Sequence, residues 1–140
     1  MFELRIVNTG NTPVKPIKIK THKALKPYLD IIRDSNQENV MVVSLNSLHE
    51  IIQTRIISIG LVSEALVHSR EVFRGAILDN AESIVLIHNH PMSNRVKPSQ
   101  ADKSMTLRLR QAGEILGIKV WDHIIVTSKK ARSMNRKRNW

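Results

Sequence analysis

The chain contains no cysteine among its 140 residues. That absence excludes disulfide bonds, zinc sites with cysteine ligands and thiol nucleophiles. Aromatic residues are also few, with two Phe, two Trp and one Tyr, so the core must consist mainly of Ile, Val, Leu and Met. No apolar run approaches the roughly 18 residues of a membrane span, and the first residues lack the apolar core of a signal peptide. These absences predict a cytoplasmic protein with no membrane association.

Acidic residues are outnumbered, with 12 Asp and Glu against 22 Lys and Arg, which gives a net charge of +10. Basic side chains concentrate at 15–26 and at 129–138. A basic surface attracts polyanions in a salt-dependent way, so weak DNA or RNA binding is one hypothesis. Composition alone does not separate it from a merely basic protein. The candidate contacts are Lys129, Lys130, Arg132, Arg136, Lys137 and Arg138.

At 41% hydrophobic residues, the chain can bury the core of one domain, and its hydrophobic periodicity predicts both strands and helices. The predicted strands are 2–8, 39–45, 50–59, 83–89 and 119–126, and the predicted helices are 22–35, 69–80 and 99–116. Strands 40–45 and 50–59 should form an antiparallel hairpin. This order predicts an α/β or α+β fold, in which a central mixed sheet is flanked by helices.

Two helices carry more detailed predictions. Ser69 is the predicted N-cap of helix 69–80, and Gly117 should end helix 99–116 because glycine commonly follows a helix C-terminus. The residues expected to face inward from the latter helix are Ala101, Met105, Leu109, Ala112, Ile115 and Leu116. From Ser128 onward the chain is basic and polar and is expected to form a loose tail. The predicted organisation is an N-terminal extension of strand and helix (1–35), one domain (36–128) and a basic tail (129–140).

The stretch from Ile84 to Pro91 contains the residues on which the functional hypothesis depends. Four aliphatic residues lead into a His-x-His pair, and alternate side chains of a strand point to the same face. His88 and His90 should therefore point the same way at the end of a strand that Pro91 terminates. A single buried histidine is usually structural, but two adjacent desolvated imidazoles need partners. Their spacing favours a metal site.

Asp102 follows His90 by twelve residues, near the start of the predicted helix. Two imidazoles, one carboxylate and one water form a common ligand set of catalytic zinc. Ser99-x-x-Asp102 also has a purely structural interpretation, as a helix N-cap with an acidic residue in the first turn. The convergence of the carboxylate with the two histidines favours a zinc hydrolase.

A zinc hydrolase also needs a carboxylate that moves protons without binding the metal. Glu38, Glu50, Glu64 and Glu71 are candidates upstream of the histidines, and spacing alone does not choose among them.

The segment His88-Asn-His-Pro91, followed by Pro98-Ser99 and Asp102, resembles the JAMM signature, which is His-x-His, a short loop and Ser-x-x-Asp. The wider sequence resembles the RadC-like branch of the JAB/MPN superfamily over roughly residues 35–127. The further matching pieces are 37–38, 44–46, 59–60, 67–73, 112–117 and 121–125.

This resemblance implies a JAB/MPN-like (cytidine-deaminase-like) architecture and a zinc metallopeptidase of the JAMM type. His88, His90 and Asp102 would be the zinc ligands. Ser99 would help to stabilise the oxyanion, and Glu38 would act on the zinc-bound water. The substrate would be a peptide or isopeptide bond in a protein.

The loop after the signature departs from the usual pattern. It reads His90-Pro-Met-Ser-Asn94 where His-Pro-Ser-Gly is usual, and the spacing to Ser99 is one residue longer. The ligand residues are intact, but the loop over the metal is altered. The altered loop therefore leaves one alternative to the peptidase, a catalytically inactive MPN-like interaction module. A second alternative is a nucleic-acid-binding protein, which the net charge, the basic tail and the family's DNA-repair label suggest.

Overall fold

A computed structural model describes residues 5–6, 18–19, 22–60, 67–91, 93–135 and 138–139. The strands within these ranges are β1 (Arg5–Ile6), β2 (Glu38–Leu45), β3 (Ile51–Gly60), β4 (Ser83–Asn89), β5 (Lys119–Val126), β6 (Ala131–Ser133) and β7 (Arg138–Asn139). The helices are α1 (Lys26–Arg33), α2 (Ser69–Leu78) and α3 (Gln100–Leu116), and a 3-10 turn (His22–Leu25) leads into α1.

The strands form one mixed sheet in the order β1-β3-β2-β4-β5-β6-β7. β2 and β3 are the predicted antiparallel hairpin, and β2 also pairs antiparallel with β4. β4 and β5 are parallel, and α3 makes the crossover between them. The predicted mixed sheet with flanking helices is therefore confirmed.

Helices cover both faces of the sheet. On one face, α2 and α3 pack against alternate residues of β2 and β4, such as Val40 and Leu86. On the other face, α1 packs against the intervening residues, such as Met41 and Ile87. Strands buried on both faces are apolar at nearly every position, which explains the hydrophobic runs 40–43 in β2 and 84–87 in β4.

The limits of α2 differ from the prediction. His68, in an extended conformation, is the N-cap and makes no side-chain cap hydrogen bond, while Ser69 is already helical. The helix ends at Leu78 and not at residue 80, because Asn80 takes a left-handed conformation with φ of 53°. Asparagine tolerates that conformation better than most residues, so it permits the turn into β4.

The limits of α3 agree with the prediction, and its inward face agrees except in the last turn. Ser99 is the N-cap, and Gly117 ends the helix with φ of 72°. Met105 and Leu109 are buried as predicted, whereas Ile115 is 87% exposed and Leu116 46% exposed. Helical periodicity identifies a face but does not show where the partner surface ends, so the last turn was wrongly assigned to the core.

Segments on either side of the predicted domain also pack against its sheet. Tyr28, Leu29 and Ile32 of α1 are buried there. In the predicted tail, Ala131 and Ser133 of β6 are buried against β5, so this part is not a loose tail. The domain boundaries themselves stay predictions. Of the predicted strand 2–8, only residues 5–6 lie within the described ranges, and they form β1.

Across the described residues, no helix is both long enough and apolar enough to span a membrane.

Candidate metal centre

His88 and His90 lie at the carboxyl end of β4, on the face that α2 and α3 cover. His88 is the penultimate residue of the strand, and the His90 backbone N–H donates to the Val126 carbonyl at 2.9 Å, just past the strand end. The two imidazole centroids are 4.8 Å apart. The prediction that both rings point the same way is confirmed.

Asp102, in the first turn of α3, places its carboxylate between the two imidazoles. Its Oδ1 is 3.1 Å from His88 Nε2, and its Oδ2 is 3.2 Å from His90 Nε2. One ligand atom from each of the three residues can be chosen so that all lie within 4.8 Å of one another. This group could hold a metal ion.

A capping box holds the Asp102 carboxylate in that place. The Ser99 backbone N–H donates to Asp102 Oδ2 at 2.7 Å, and the Asp102 N–H donates to Ser99 Oγ at 3.1 Å. The structural interpretation of Ser-x-x-Asp is therefore correct, yet it does not compete with the metal interpretation. The cap orients the carboxylate, and Oδ1 still faces His88.

The site has an unusual electrostatic balance. Burial disfavours the ionised form of Asp102, but hydrogen bonds from His88 and His90 outweigh burial and hold the pKa of this carboxyl well below its usual range. The hydrogen bond to Asp102 raises the pKa of His90, against the opposing effect of burial. Asp102 therefore stays anionic at neutral pH and provides the negative charge that a cation would meet.

The second nitrogen of each imidazole is engaged outside the site. His90 Nδ1 is 3.2 Å from the Arg95 carbonyl, which can only accept a hydrogen bond, so Nδ1 carries the proton. His88 Nδ1 is 2.7 Å from Nε2 of His123, a histidine on β5. These contacts leave both Nε2 atoms toward Asp102, as a metal site with nitrogen and oxygen ligands requires, so the donor set fits zinc.

Glu38 is the first residue of β2 and reaches the same site. Val40 pairs with His88 in the antiparallel β2–β4 register, so continuing the register places Glu38 opposite His90. Residues 38 and 40 share a face because strand side chains alternate. Glu38 lines a cavity of about 300 Å³ together with His88, His90, Ser99 and Asp102.

The other candidate glutamates lie elsewhere. Glu50 is at the far end of the hairpin, where it accepts a hydrogen bond from Asn46. Glu71 is in the first turn of α2, with its carboxylate 3.9 Å from the Arg70 guanidinium. Glu64 falls outside the described residues. Among the described candidates, only Glu38 lines the cavity that contains the histidines and Asp102.

Asn89, the residue between the two histidines, fixes the backbone on both sides of Glu38. Its Oδ1 accepts from the Asn39 N–H at 2.6 Å, and its Nδ2 donates to the Gln37 carbonyl at 2.9 Å. Asn89 is fully buried and points to the opposite face from the histidines. One His-Asn-His run therefore positions two ligand candidates and the strand that carries the glutamate.

The basic residues of the last segment are only partly described. Lys129 and Lys130 are exposed in the turn between β5 and β6, and Arg132 is partly buried on β6. Arg136, Lys137 and the side chain of Arg138 lie outside the described structure. Nucleic-acid binding by these residues stays a prediction.

A family model described as "RadC-like JAB domain" matches residues 19–140. The chain belongs to the RadC-like JAB domain family. The match includes α1 and β6 as well as the residues of the candidate site, in agreement with their packing on one sheet.

Relatives of this RadC-like JAB domain carry the name UPF0758 protein. That of Methanospirillum hungatei is 48% identical over 137 residues, which are 95% of this chain and 60% of the relative. That of Rubrobacter xylanophilus is 50% identical over 95 residues, 68% of this chain and 41% of the relative. That of Clostridioides difficile is 45% identical over 118 residues, 80% of this chain and 48% of the relative. The chain thus spans about half the length of these curated relatives, whose names state no activity.

Sequence reasoning assigned no role to three polar residues around the site, Asn89, Thr106 and His123. Thr106 is on α3 and hydrogen-bonds His123, which is completely buried. In the sequence, His123 stands out only as a member of segment 121–125, one of the pieces that match the family. The available signal was a polar residue within an apolar strand, since a buried polar group needs a partner.

Proposed function

We propose that this RadC-like JAB domain is a zinc-dependent hydrolase of the JAMM metallopeptidase type, which cleaves a peptide or isopeptide bond. The observation that carries the proposal is the cluster of His88, His90 and Asp102, with Glu38 on the wall of the same cavity. Ligands and a non-ligand carboxylate together are what metal-assisted hydrolysis requires.

His88 and His90 would hold zinc through Nε2, and Asp102 through Oδ1, while its Oδ2 keeps the hydrogen bond from the Ser99 N–H. A zinc ion held there supplies Lewis acidity, which lowers the pKa of water and polarises the scissile carbonyl. With three protein ligands, the fourth position of a catalytic zinc would be left for water or substrate.

Glu38 would act as the general base and then the general acid of the reaction. Its carboxylate takes a proton from the attacking water on one oxygen and returns that proton to the leaving amine nitrogen. The two backbone bonds that Asn89 makes to Gln37 and Asn39 restrict where the carboxylate can move. Asn89 would thus support proton transfer without contacting the substrate.

Ser99 would stabilise the developing oxyanion. Its Oγ accepts the Asp102 N–H bond through a lone pair, which leaves the hydroxyl proton for donation. Ser99 is exposed and lines the cavity beside the candidate ligands. A donor placed where negative charge develops lowers the barrier of acyl transfer.

Metal content tests the site. The protein would be purified without chelators, and its zinc measured by elemental analysis beside His88→Ala and Asp102→Ala. His68→Ala is the matched control, because His68 is exposed and makes no cap bond with its side chain. We expect stoichiometric zinc in wild type and control and its loss in both site variants. Equal metal content in all four proteins would overturn the assignment.

Hydrolysis of peptide and isopeptide libraries tests the reaction. Glu38→Gln should keep zinc but lose about 10²- to 10⁴-fold in kcat, the range for a general acid–base residue. Glu50→Gln is the control, a half-buried glutamate at the opposite end of β2. A wild-type protein that binds zinc and cleaves no member of either library would favour the inactive interaction module instead.

A further inference from the structure

His123 lies on the strand next to that of His88, and its imidazole contacts the His88 imidazole on the side away from Asp102. It is on β5, next to Leu86 in the parallel β4–β5 register, and its side chain is 0% exposed. His123 Nε2 is 2.7 Å from His88 Nδ1. His123 Nδ1 is 2.6 Å from the Thr106 hydroxyl oxygen, which is in turn 2.8 Å from the Asp102 carbonyl. The four groups form a chain of hydrogen bonds that begins and ends at candidate metal ligands.

The chemistry of the four groups determines which of them donates in each of these hydrogen bonds. The Asp102 carbonyl can only accept, so the Thr106 hydroxyl donates its single proton there. The Thr106 oxygen must then accept from His123 Nδ1–H. One proton remains between His123 Nε2 and His88 Nδ1. If His123 also carried that proton it would be a fully buried cation, which desolvation strongly disfavours, so the proton belongs to His88 Nδ1.

We propose that His123 and Thr106 are positioning residues that hold His88 in the tautomer with its proton on Nδ1, so that the Nε2 lone pair faces the metal. This inference rests on the zinc site of the proposed function but not on the hydrolytic step. His90 reaches the same tautomer by a simpler route, through the Arg95 carbonyl. A hydrogen bond from the outer nitrogen orients a ligand imidazole and raises its basicity.

Residues 133–135, which follow β5, contact the residues of this hydrogen-bond network or the adjacent Asp122 and support them. The Met134 N–H donates to the His123 carbonyl at 2.8 Å, and Met134 Sδ is 3.6 Å from the Thr106 hydroxyl. Next to His123, Asp122 accepts hydrogen bonds from the Ser133 hydroxyl and from the Asn135 N–H. Residues 133–135 thus support His123 from outside the metal site.

Two pairs of variants separate positioning from packing. His123→Gln keeps an acceptor at the position of Nε2, whereas His123→Leu has a similar size and no acceptor. Thr106→Ser keeps the hydroxyl, whereas Thr106→Val keeps the shape and removes it. Zinc affinity would be measured by competition with a fluorescent chelator, and the folding of each metal-free variant by thermal denaturation.

We expect His123→Leu to weaken zinc binding by about 10- to 100-fold, the usual effect of losing a partner of a ligand. His123→Gln should recover most of that loss. Thr106→Val should weaken binding less than His123→Leu, and Thr106→Ser should match wild type.

The tautomer of His88 provides a readout that packing alone would not change. In zinc-loaded protein labelled with ¹⁵N-histidine, the His88 Nδ1–H should give a proton signal protected from exchange. His123→Gln should keep this signal and His123→Leu should lose it.

Unchanged zinc affinity and an unchanged Nδ1–H signal in His123→Leu would overturn the inference. If that variant does not fold, the same two results in Thr106→Val would overturn it. Absence of zinc binding by the wild type would instead remove the proposed metal site, and this inference with it.

Discussion

Asp79 is partly buried and Asp102 is buried, their side chains are each 10% exposed, and both carboxylates have cationic or ionisable partners. Asp79, at the end of α2, forms a bidentate ion pair with the guanidinium of Arg55 on β3. Asp102 instead lies between two imidazoles. Arginine stays protonated under all ordinary conditions, whereas imidazoles exchange their protons near neutral pH.

That difference in partner separates a structural charge pair from a candidate binding site. The charge of Asp79 is balanced permanently, so the pair joins α2 to the sheet and needs no ligand. The charge of Asp102 instead meets two imidazoles at 3.1 and 3.2 Å, and a metal ion can take the place of their hydrogen bonds. Burial alone does not distinguish the two carboxylates; the acidity of the partner does.

The largest effect should come from breaking the structural pair. Asp79→Ala leaves a buried guanidinium without its carboxylate, which costs about 3–5 kcal/mol in the free energy of unfolding. Urea denaturation of the metal-free protein measures this cost. Asp30→Ala, which removes an exposed partner of Lys26, is the control and should change little. Zinc affinity should be the same in Asp79→Ala as in wild type wherever the variant is folded; a loss there would remove the contrast between the two carboxylates.

Asp102→Asn should lower zinc affinity by more than about 100-fold, because changes to partners of ligands already cost 10- to 100-fold. Asparagine can still accept the Ser99 N–H bond, so the helix cap should survive. Chelator competition measures the affinity, and circular dichroism checks the helix content. An affinity within tenfold of wild type would argue against Asp102 as a ligand.

Raising the pH should lower the stability that His90 gives to the metal-free protein but should raise the protein's affinity for zinc. The pKa of His90 in the folded protein is raised above its ordinary 6.5, so its interaction with Asp102 stabilises the metal-free fold below that pH. The stabilisation is lost as pH rises through the folded pKa. Zinc binding, by contrast, should strengthen over the same range by up to about tenfold per pH unit for each proton displaced.

The Asp79 pair offers the internal control for that measurement. Burial raises the pKa of Asp79, but its hydrogen bonds and its attraction to the charge of Arg55 together outweigh burial, so the folded pKa is lowered. Its stabilisation is complete above the ordinary value of 3.8 and is lost only as pH falls through the lower folded pKa. Thermal denaturation of metal-free protein from pH 6 to 8 should thus detect His90 and not Asp79. Burial holds the pKa of His123 well below 6.5, which gives the opposite slope, so metal-free wild type is compared with His90→Asn. A difference in stability between the two proteins that does not shrink as pH rises would contradict the role given to His90.

The smallest effect should come from Ser99→Ala. Loss of the N-cap side chain costs about 1 kcal/mol in the free energy of unfolding. Zinc affinity should fall less than about tenfold, because the backbone N–H at position 99 still holds Asp102 Oδ2. Chemical denaturation and chelator competition on the same sample measure both quantities. A loss of zinc as large as in Asp102→Asn would mean that the capping box itself is essential for binding.

Several features of the fold and site could be predicted because they depend on neighbours in the chain. The common face of His88 and His90 follows from strand geometry, and the Ser99 cap from the spacing to Asp102. Gly117 ends α3 because its left-handed conformation suits glycine. Predictions failed where distant packing decides, as for Ile115 at the overhanging end of α3 and for Ala131, which β5 buries.

The sequence by itself determined that two imidazoles and a capped aspartate would be available on adjoining elements, since each depends on spacings of two or three residues. Spacing left four candidate glutamates, among which only the family resemblance favoured Glu38, and the tertiary structure placed Glu38 at the site through the pairing of Val40 with His88. It alone placed His123 and Thr106 behind His88. These choices arise from contacts between residues tens of positions apart in the chain, and local periodicity carries no information about such contacts.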